Sequence, residues 1–544
     1  MQRRGRDSRA RQDDHEKQGQ VRPTSSTRFC DRCIPVGGDK CVDRWGMAQK
    51  SISIPASEWD YRTTNELVQA LQARKISSLE LVEHSIARIE AFDHNLNAVI
   101  VRDFERAREA AKAADAALAR GERRPLLGIP MTVKEAFNVA GLPTTWGNPR
   151  FKDFVPQEDA VIVSRVKSAG AIVLGKTNVP LHLADIQSYN DIYGTTNNPW
   201  DLDRTPGGSS GGSAAALAAG FGQLSLGSDL GGSLRVPAHF CGIFAHKPSL
   251  GLVPDRGHTP PAVPAVPCDS DLAVVGPMSR TAADLALALD VIAGPDEERA
   301  GIGFRLELRP ARHDDLKSYS VLVIENHPLV PAGLAVRTAL GQLSERLARS
   351  GAKVAHASPL LPDLANSTRF YVKLYSCFRG AVAPPNLYDE MRLTADVLSP
   401  KDNSLRAERT RAAVMTHRDW FAADTARAQL RQQWSMLFRE WDVVLCPVIA
   451  TPAFLHDHSL PLEARNIEID GKGYPYRDAQ LVWSGLATAS GLPSTVVPID
   501  RSEASLPIGV QIVGPYLEDR TTIAFAELLE REFGGFAAPP RYAG

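Results

Sequence analysis

Two glycine–serine loops carry the clearest chemical signal in this chain of 544 residues. Pro206-Gly-Gly-Ser-Ser-Gly-Gly-Ser213 leads into the small-residue run Ala214-Ala-Ala-Leu-Ala-Ala219. Gly227-Ser-Asp-Leu-Gly-Gly-Ser-Leu-Arg-Val-Pro237 follows, so that Ser209 and Ser233 stand 24 positions apart. Glycine at such places lets backbone N–H groups turn inward with no Cβ in the way. What those amides hold decides the chemistry. A phosphate-binding P-loop needs Gly-Lys followed by Ser or Thr, and no lysine follows either loop. Gly207-Gly-Ser209-Ser-Gly211 matches the Gly-x-Ser-x-Gly nucleophile elbow of an α/β-hydrolase esterase. That elbow requires a preceding strand, however, and Asn197 to Pro206 is rich in turn formers. Ser164-x-x-Lys167 has the spacing of a penicillin-binding-protein nucleophile, but it sits in an amphipathic helix pattern without the partner Ser-Asp-Asn.

The dense match lies elsewhere. Gly207-Gly-Ser-Ser-Gly-Gly-Ser-Ala, the helix after it and Asp229-x-Gly-x-Ser-Leu-Arg-x-Pro237 together resemble the signature of the amidase signature family, serine hydrolases that cleave carboxamides. Ile129-Pro-Met-Thr-Val-Lys134, Gly194-Thr-Thr-Asn-Asn-Pro199, Phe240-Cys-Gly242, Lys247-Pro248, Val275-Gly-Pro-Met278 and Leu506-Pro-Ile-Gly-Val-Gln-Ile-Val-Gly514 extend the resemblance over roughly residues 60 to 535. It implies an α/β fold, one large unit with a mixed central sheet and helices on both faces. It also implies a Ser–Ser–Lys triad. The nucleophile falls on Ser233, the bridging serine on Ser209 and the base on Lys134. The oxyanion hole falls on the backbone amides of Leu230, Gly231, Gly232 and Ser233. Many members carry aspartate after the lysine, where this chain has Glu135.

The chemistry suits these residue types. A serine hydroxyl needs a base, and lysine serves only when neutral. Its ordinary pKa of about 10.4 must fall to roughly 7–8, which costs about 3–4 kcal/mol against the charged form. Burial among glycines and serines supplies that shift, provided Glu135 points away from the ammonium. A bridging hydroxyl both donates and accepts, so Ser209 can relay a proton. The implied reaction releases ammonia or an amine and then hydrolyses an acyl-enzyme, with neither metal nor organic cofactor.

Other residues near the loops read as support. Ser210 and Ser213 suit a loop and a helix N-cap, Asp229 and Arg235 flank the Ser233 turn, and Cys241 beside the apolar Phe240 and Ile243 suits a packed core thiol. His182, His239 and His246 lack a metal-ligand spacing. Residues 186–194 and the aromatic Tyr371, Tyr375 and Phe378 are expected to wall the substrate pocket. A second reading of the same resemblance is the amidase-like subunit of a tRNA-dependent amidotransferase. Against it, Leu230 stands where such subunits usually carry threonine, and Thr259 to Pro267 is unusually proline-rich.

The elements that must position these groups can also be read. Thr63-x-x-Glu66 and Ser77-x-x-Glu80 are capping boxes that open helices. Apolar runs at 98–101, 126–133, 171–174, 321–324, 443–445, 495–497 and 509–513 read as strands, with helices near 104–119 and 336–349 and one capped by Asp159. The alternation predicts an α/β fold with a mixed or mostly parallel sheet, and residues 360–420 read as a helix-rich insertion.

The composition is that of an ordinary globule, 43 % hydrophobic and 23 % charged, with 62 basic against 63 acidic residues. No net field draws it to nucleic acid or anionic lipid. No run is apolar enough to cross a membrane. Seven cysteines imply no disulfide framework, so the expected setting is the cytoplasm. The expected partners are a small-molecule amide and, by family resemblance, a second copy in a homodimer. Residues 1–46 hold 11 basic and 7 acidic residues and few aliphatics, which reads as a disordered extension, and Met47 could be the true start. Cys30, Cys33 and Cys41 with His15 there do not complete a zinc site.

Overall fold

The protein is described here by a computed structural model covering residues 56–266, 270–296 and 303–543. The stretch 1–46, with its cysteines and the question of Met47, lies outside the described residues. An 11-stranded sheet forms the frame. From edge to edge its strands are Val99–Arg102, Ile172–Thr177, Pro130–Lys134, Leu224–Asp229, Val274–Ser279, Phe244–Lys247, Ser494–Arg501, Pro507–Val513, Val443–Pro447, Ser320–Val323 and Lys353–Ala355. Six of its ten joins are antiparallel, so of the two expected forms the sheet takes the mixed one and not the mostly parallel one. A strand–helix alternation implies parallel crossovers only where each helix returns the chain to the same end, and here Val274–Ser279, Phe244–Lys247, Ser494–Arg501 and Pro507–Val513 each run against both of their neighbours.

Period-two alternation divides the core between the two faces. Along Ser320–Val323, Leu322 faces one apolar cluster while Val321 and Val323 face the other; along Val443–Pro447, Val444 and Cys446 oppose Val443 and Leu445. Helices Leu364–Ala381, His417–Leu437 and Tyr476–Thr488 cover the first face, and Val161–Ser168, Ala282–Ile292 and Asp519–Phe533 the second. Both capping boxes are present, with the side chains of Thr63 and Ser77 accepting the N–H of Glu66 and Glu80. Asp159 does not cap a helix. Ala160 is the N-cap, and the Asp159 carboxylate instead accepts from the Ala140 N–H and from Lys167 at 2.8 Å, which leaves the Ser164/Lys167 spacing without chemistry. From 364 to 437 the chain runs through four helices with no strand between them.

Candidate active site

Lys134 ends its strand beside the parallel strand Leu224–Asp229, and the register Val133↔Leu226 brings it level with Gly227 and Ser228. Its side chain is fully buried and its Nζ meets three hydroxyls, Ser209 Oγ at 2.7 Å, Ser228 Oγ at 2.9 Å and Ser210 Oγ at 3.0 Å. Burial pushes the Lys134 ammonium down to about 7, opposed by the charge of Asp229. A lysine this low is half neutral near pH 7. A neutral amine has two N–H donors and one lone pair. Ser210 directs its own hydroxyl toward the Ser228 carbonyl at 3.4 Å and therefore accepts from Nζ. The lone pair is then left to a hydroxyl of Ser209 or Ser228, of which Ser209 is the nearer.

Glu135 does point away. Its carboxylate accepts from the backbone N–H of Thr145 and, at 3.0 Å, of Trp146. Burial raises it, and its charge partner is a second buried lysine, Lys176, which donates to Thr144 Oγ1 at 2.7 Å. The extra methylene relative to aspartate is thus taken up in a backbone anchor.

Ser233 sits on the turn between Leu224–Asp229 and helix Arg235–Cys241. It is the most exposed of the five groups, at 8 % against 5 % for Ser228, 1 % for Ser209 and none for Lys134 and Ser210. Asp229 builds that turn. Its Oδ1 accepts from the Gly232 N–H at 2.9 Å and its Oδ2 from the Leu234 N–H at 3.1 Å, while Arg235 clasps both oxygens at 2.9 and 3.0 Å. Burial works to raise this carboxyl, but Arg235 and the turn amides outweigh it and hold it down to about 2. Gly232 has φ +95, open to glycine at little cost, and a Cβ there would lie 3.0 Å from Val236 Cγ2.

The planarity of each peptide unit then sorts the four amides assigned from the sequence. The Gly232 N–H is spent on Asp229, which removes it from the set expected to face substrate. The Leu230 carbonyl accepts from the Tyr371 hydroxyl at 2.7 Å and the Gly232 carbonyl from the Val236 N–H at 2.7 Å. In each of these units the opposite end, the N–H of Gly231 or of Ser233, has no hydrogen bond among the described residues. Leu230 offers a third free N–H. Tyr371 is therefore a buried brace on the turn and not an exposed pocket wall. Gln480 braces the same turn through the Gly231 carbonyl at 3.3 Å, and Tyr375 closes to 3.4 Å of the position a Gly231 Cβ would take.

The remaining candidates fall into place around this centre. Ser210 is the N-cap of helix Gly211–Ala218 but makes no side-chain cap bond, because its hydroxyl serves Lys134. Ser213 meets Thr177 Oγ1 at 2.7 Å. Gly212 is required by close approach, since a Cβ would lie 2.4 Å from the Asn178 nitrogen. Cys241 is a fully buried thiol raised by desolvation. His239 and His246 are buried on Gly509 and Asp519, and no group of three His, Cys, Asp or Glu among the described residues is placed to hold a metal. Segment 186–194 is tied by polar bonds to neighbouring loops, Gln187 to Asp457 and Ser188 to the Gly207 carbonyl. Among the described residues no strand runs into the first loop, and the side chain that meets Ser209 Oγ is a lysine and not a histidine, so the esterase elbow has no support. Ser228 is not legible in the sequence, because Gly227-Ser-Asp reads as loop when it is the end of a strand.

This arrangement has known counterparts. The amidase family model matches residues 80–523, and the chain belongs to that family, the amidase-signature enzymes, hydrolases of carbon–nitrogen bonds in amides. It is 34 % identical over 516 residues to one subunit of the glutamyl-tRNA(Gln) amidotransferase of Anaeromyxobacter sp. (strain K), covering 90 % of this chain and all of that one. It is 31 % identical to human fatty-acid amide hydrolase 2, over 88 % of this chain and 90 % of that protein. Among solved structures, a bacterial aryl acylamidase of the amidase signature family superposes with a TM-score of 0.74 at 25 % identity, covering 90 % of this chain and 99 % of that one. No helix of the described residues is long and apolar enough to cross a membrane.

Proposed function

We propose that the chain is a free-standing amidase, one catalytic domain over about residues 60–535. In this reading Ser233 is the nucleophile, Ser209 the proton relay and Lys134 the base. The observation that carries it is the fully buried Lys134, lowered to about 7 by burial, with Nζ 2.7 Å from Ser209 and the Ser233 turn alongside. Ser233 Oγ attacks the amide carbonyl as its proton passes through Ser209 to Lys134. The carbonyl oxygen gains charge against the N–H groups of Gly231 and Ser233, with Leu230 as a further donor. The tetrahedral intermediate collapses, the relay protonates the leaving nitrogen, and ammonia or an amine departs. Water then takes the place of the amine, is deprotonated along the same path, and frees the acid. The free thiols of Cys241, Cys377 and Cys446 suit a reducing, cytoplasmic setting.

The test is ammonia or amine release by the purified chain alone from a panel of aliphatic, aryl and amino-acid amides. Only neutral lysine is a base, so kcat/KM is expected to be low in acid, to rise through about pH 7 and to level above it. A profile flat from about pH 5 to 9 would remove lysine from the role. The similarity to amidotransferase subunits supports one other reading. If activity appears only with partner subunits and glutamine as nitrogen donor, the free-standing role fails while the chemistry stands.

Tyr371→Phe checks the amide assignment. Losing the brace on the Leu230 carbonyl loosens the Gly231 N–H without removing it. The expected cost is about tenfold in kcat with KM nearly unchanged, below the roughly 100- to 1000-fold typical of a deleted donor. An unchanged kcat would mean that the Gly231 N–H does not meet the oxyanion.

A further inference from the structure

A cavity of about 650 Å³ opens between helices Leu364–Ala381, Pro385–Asp396, Leu405–Ala412 and Tyr476–Thr488, with Tyr375, Met391, Arg379 and Arg477 on its wall. It adjoins the centre described above on two sides. Tyr375 reaches the Gly231 turn, and Arg477 donates at 2.8 Å to Gln480 Oε1, whose amide holds the Gly231 carbonyl. Both arginines also rest on the loop before Asp185. Arg477 donates to the Ala184 carbonyl at 2.6 Å and Arg379 to the His182 carbonyl at 3.4 Å. That loop packs directly on the Ser209 loop, since a Cβ on Gly208 would lie 2.7 Å from the Asp185 carbonyl oxygen.

Several other inward-facing arginines are neutralised, Arg235 by Asp229, Arg465 by Asp185, Arg88 by Asp60 and Arg409 by Asp478 and Glu463. The buried Arg280 is enclosed by the backbone carbonyls of Leu217 and Gly222 and lines no wall of this cavity. Among the described residues no carboxylate lies within ion-pair distance of Arg379 or Arg477. The acidic residues on the cavity wall are otherwise placed. Glu463 pairs with Arg409, Asp402 accepts the Ser404 N–H at 2.9 Å, and Glu390 lies on an exposed helix. Arg379 is half-buried, and desolvation together with the charge of Arg477 lowers its guanidinium. Two like charges held together in a partly desolvated cavity are unfavourable until an anion joins them. Guanidinium geometry matches a carboxylate with paired N–H donors.

We propose that Arg379 and Arg477 form a carboxylate subsite, so that the preferred substrate is an amide carrying a second, anionic carboxyl group. This rests on the amidase reading above and names the substrate class for the same site. The carboxylate could stand on the acyl half or on the amine half of the substrate, and the experiment separates them. Dicarboxylic acid monoamides from succinamate to suberamate are compared with alkanamides of the same length, and N-acetyl-β-alanine with N-propylacetamide. One of the two carboxylated arms is expected to exceed its neutral partner by about 10- to 100-fold in kcat/KM. Arg379→Met is expected to bring that ratio to near one, and Arg379→Lys to restore part of it. Neutral partners preferred by the wild type, or a ratio that survives Arg379→Met, would overturn the subsite. Adipate and β-alanine binding to Ser233→Ala protein, followed by calorimetry, needs no turnover. Binding lost on adding Arg379→Met supports the subsite, and equal or absent binding in both proteins refutes it. Absence of hydrolysis on every amide counts instead against the amidase reading.

Discussion

Ser233→Ala is expected to lower kcat by about 10⁴- to 10⁶-fold with little change in KM, the scale on which losing a serine nucleophile acts in hydrolases. The size of the effect follows from what the substitution leaves in place. The turn is fixed by Asp229 through the N–H groups of Gly232 and Leu234 and by the Arg235 clasp, none of which involves the Ser233 hydroxyl. The free N–H groups of Gly231 and Ser233 belong to the backbone and survive, so substrate still binds and its carbonyl is still polarised. What disappears is the acyl-enzyme path. The rate that remains is water attack in a preorganised site, so a residual activity above the uncatalysed reaction is part of the expectation. Steady-state ammonia release at saturating amide measures it, with intact-mass detection of the acyl-enzyme on a slow ester substrate as the direct companion. Turnover within about tenfold of wild type would move the nucleophile to one of the hydroxyls that contact Lys134 directly. Ser228, the next most exposed, would be examined first.

How much of this site could be read in advance depended on whether a residue's role is local. Gly207, Gly208, Gly211 and Gly212 announce themselves because only glycine tolerates the close approach of Pro237 and of the Asp185, Ser188 and Asn178 segments, and that need is written in the residue type. The capping boxes at Thr63 and Ser77 are equally local and took their expected form. Lys134 lies 75 positions before Ser209; nothing in the spacing joins them, and only the family resemblance did. Tyr371 and Gln480 come from helices far along the chain and meet the site through tertiary packing alone. Their residue types, aromatic or polar on helices, fit an ordinary surface or core equally well. The sheet shows the same division. Seven of the eleven strands followed from their apolar runs, whereas Leu224–Asp229, Phe244–Lys247, Val274–Ser279 and Lys353–Ala355, which carry glycine, polar or charged residues, did not, and the direction of each depends on how its neighbours fold back. The Gly232 amide went astray for a related reason. Four amides of one turn look alike in sequence, and it takes the Asp229 side chain to occupy one of them.

The second large effect is expected at Lys134, and there activity and stability should part. Lys134→Met removes the one base in contact with Ser209 among the described residues, and kcat/KM should fall by at least about 10³-fold, as for a general base on whose deprotonation the nucleophile depends. The fall should be deepest above pH 7, where the wild type is fully active, and should narrow in acid, where the wild-type lysine is itself protonated. Stability runs the other way. A lysine at about 7 in the folded state and near 10.5 when unfolded leaves the native protein holding fewer protons between those values. Wild-type stability therefore rises with pH across that window, and below it the buried ammonium costs roughly 5 kcal/mol. Methionine of similar length does not titrate. It does strip a partner from three hydroxyls, at about 1 kcal/mol each, which offsets part of the gain. Thermal unfolding at pH 7 should thus find Lys134→Met no less stable than wild type, with its advantage shrinking as pH approaches about 10. A variant that is less stable at pH 7, with a pH slope equal to that of the wild type, would show that Lys134 is charged at neutral pH. The cluster of Ser209, Ser210 and Ser228 would then be solvating an ammonium that has no lone pair with which to accept a proton.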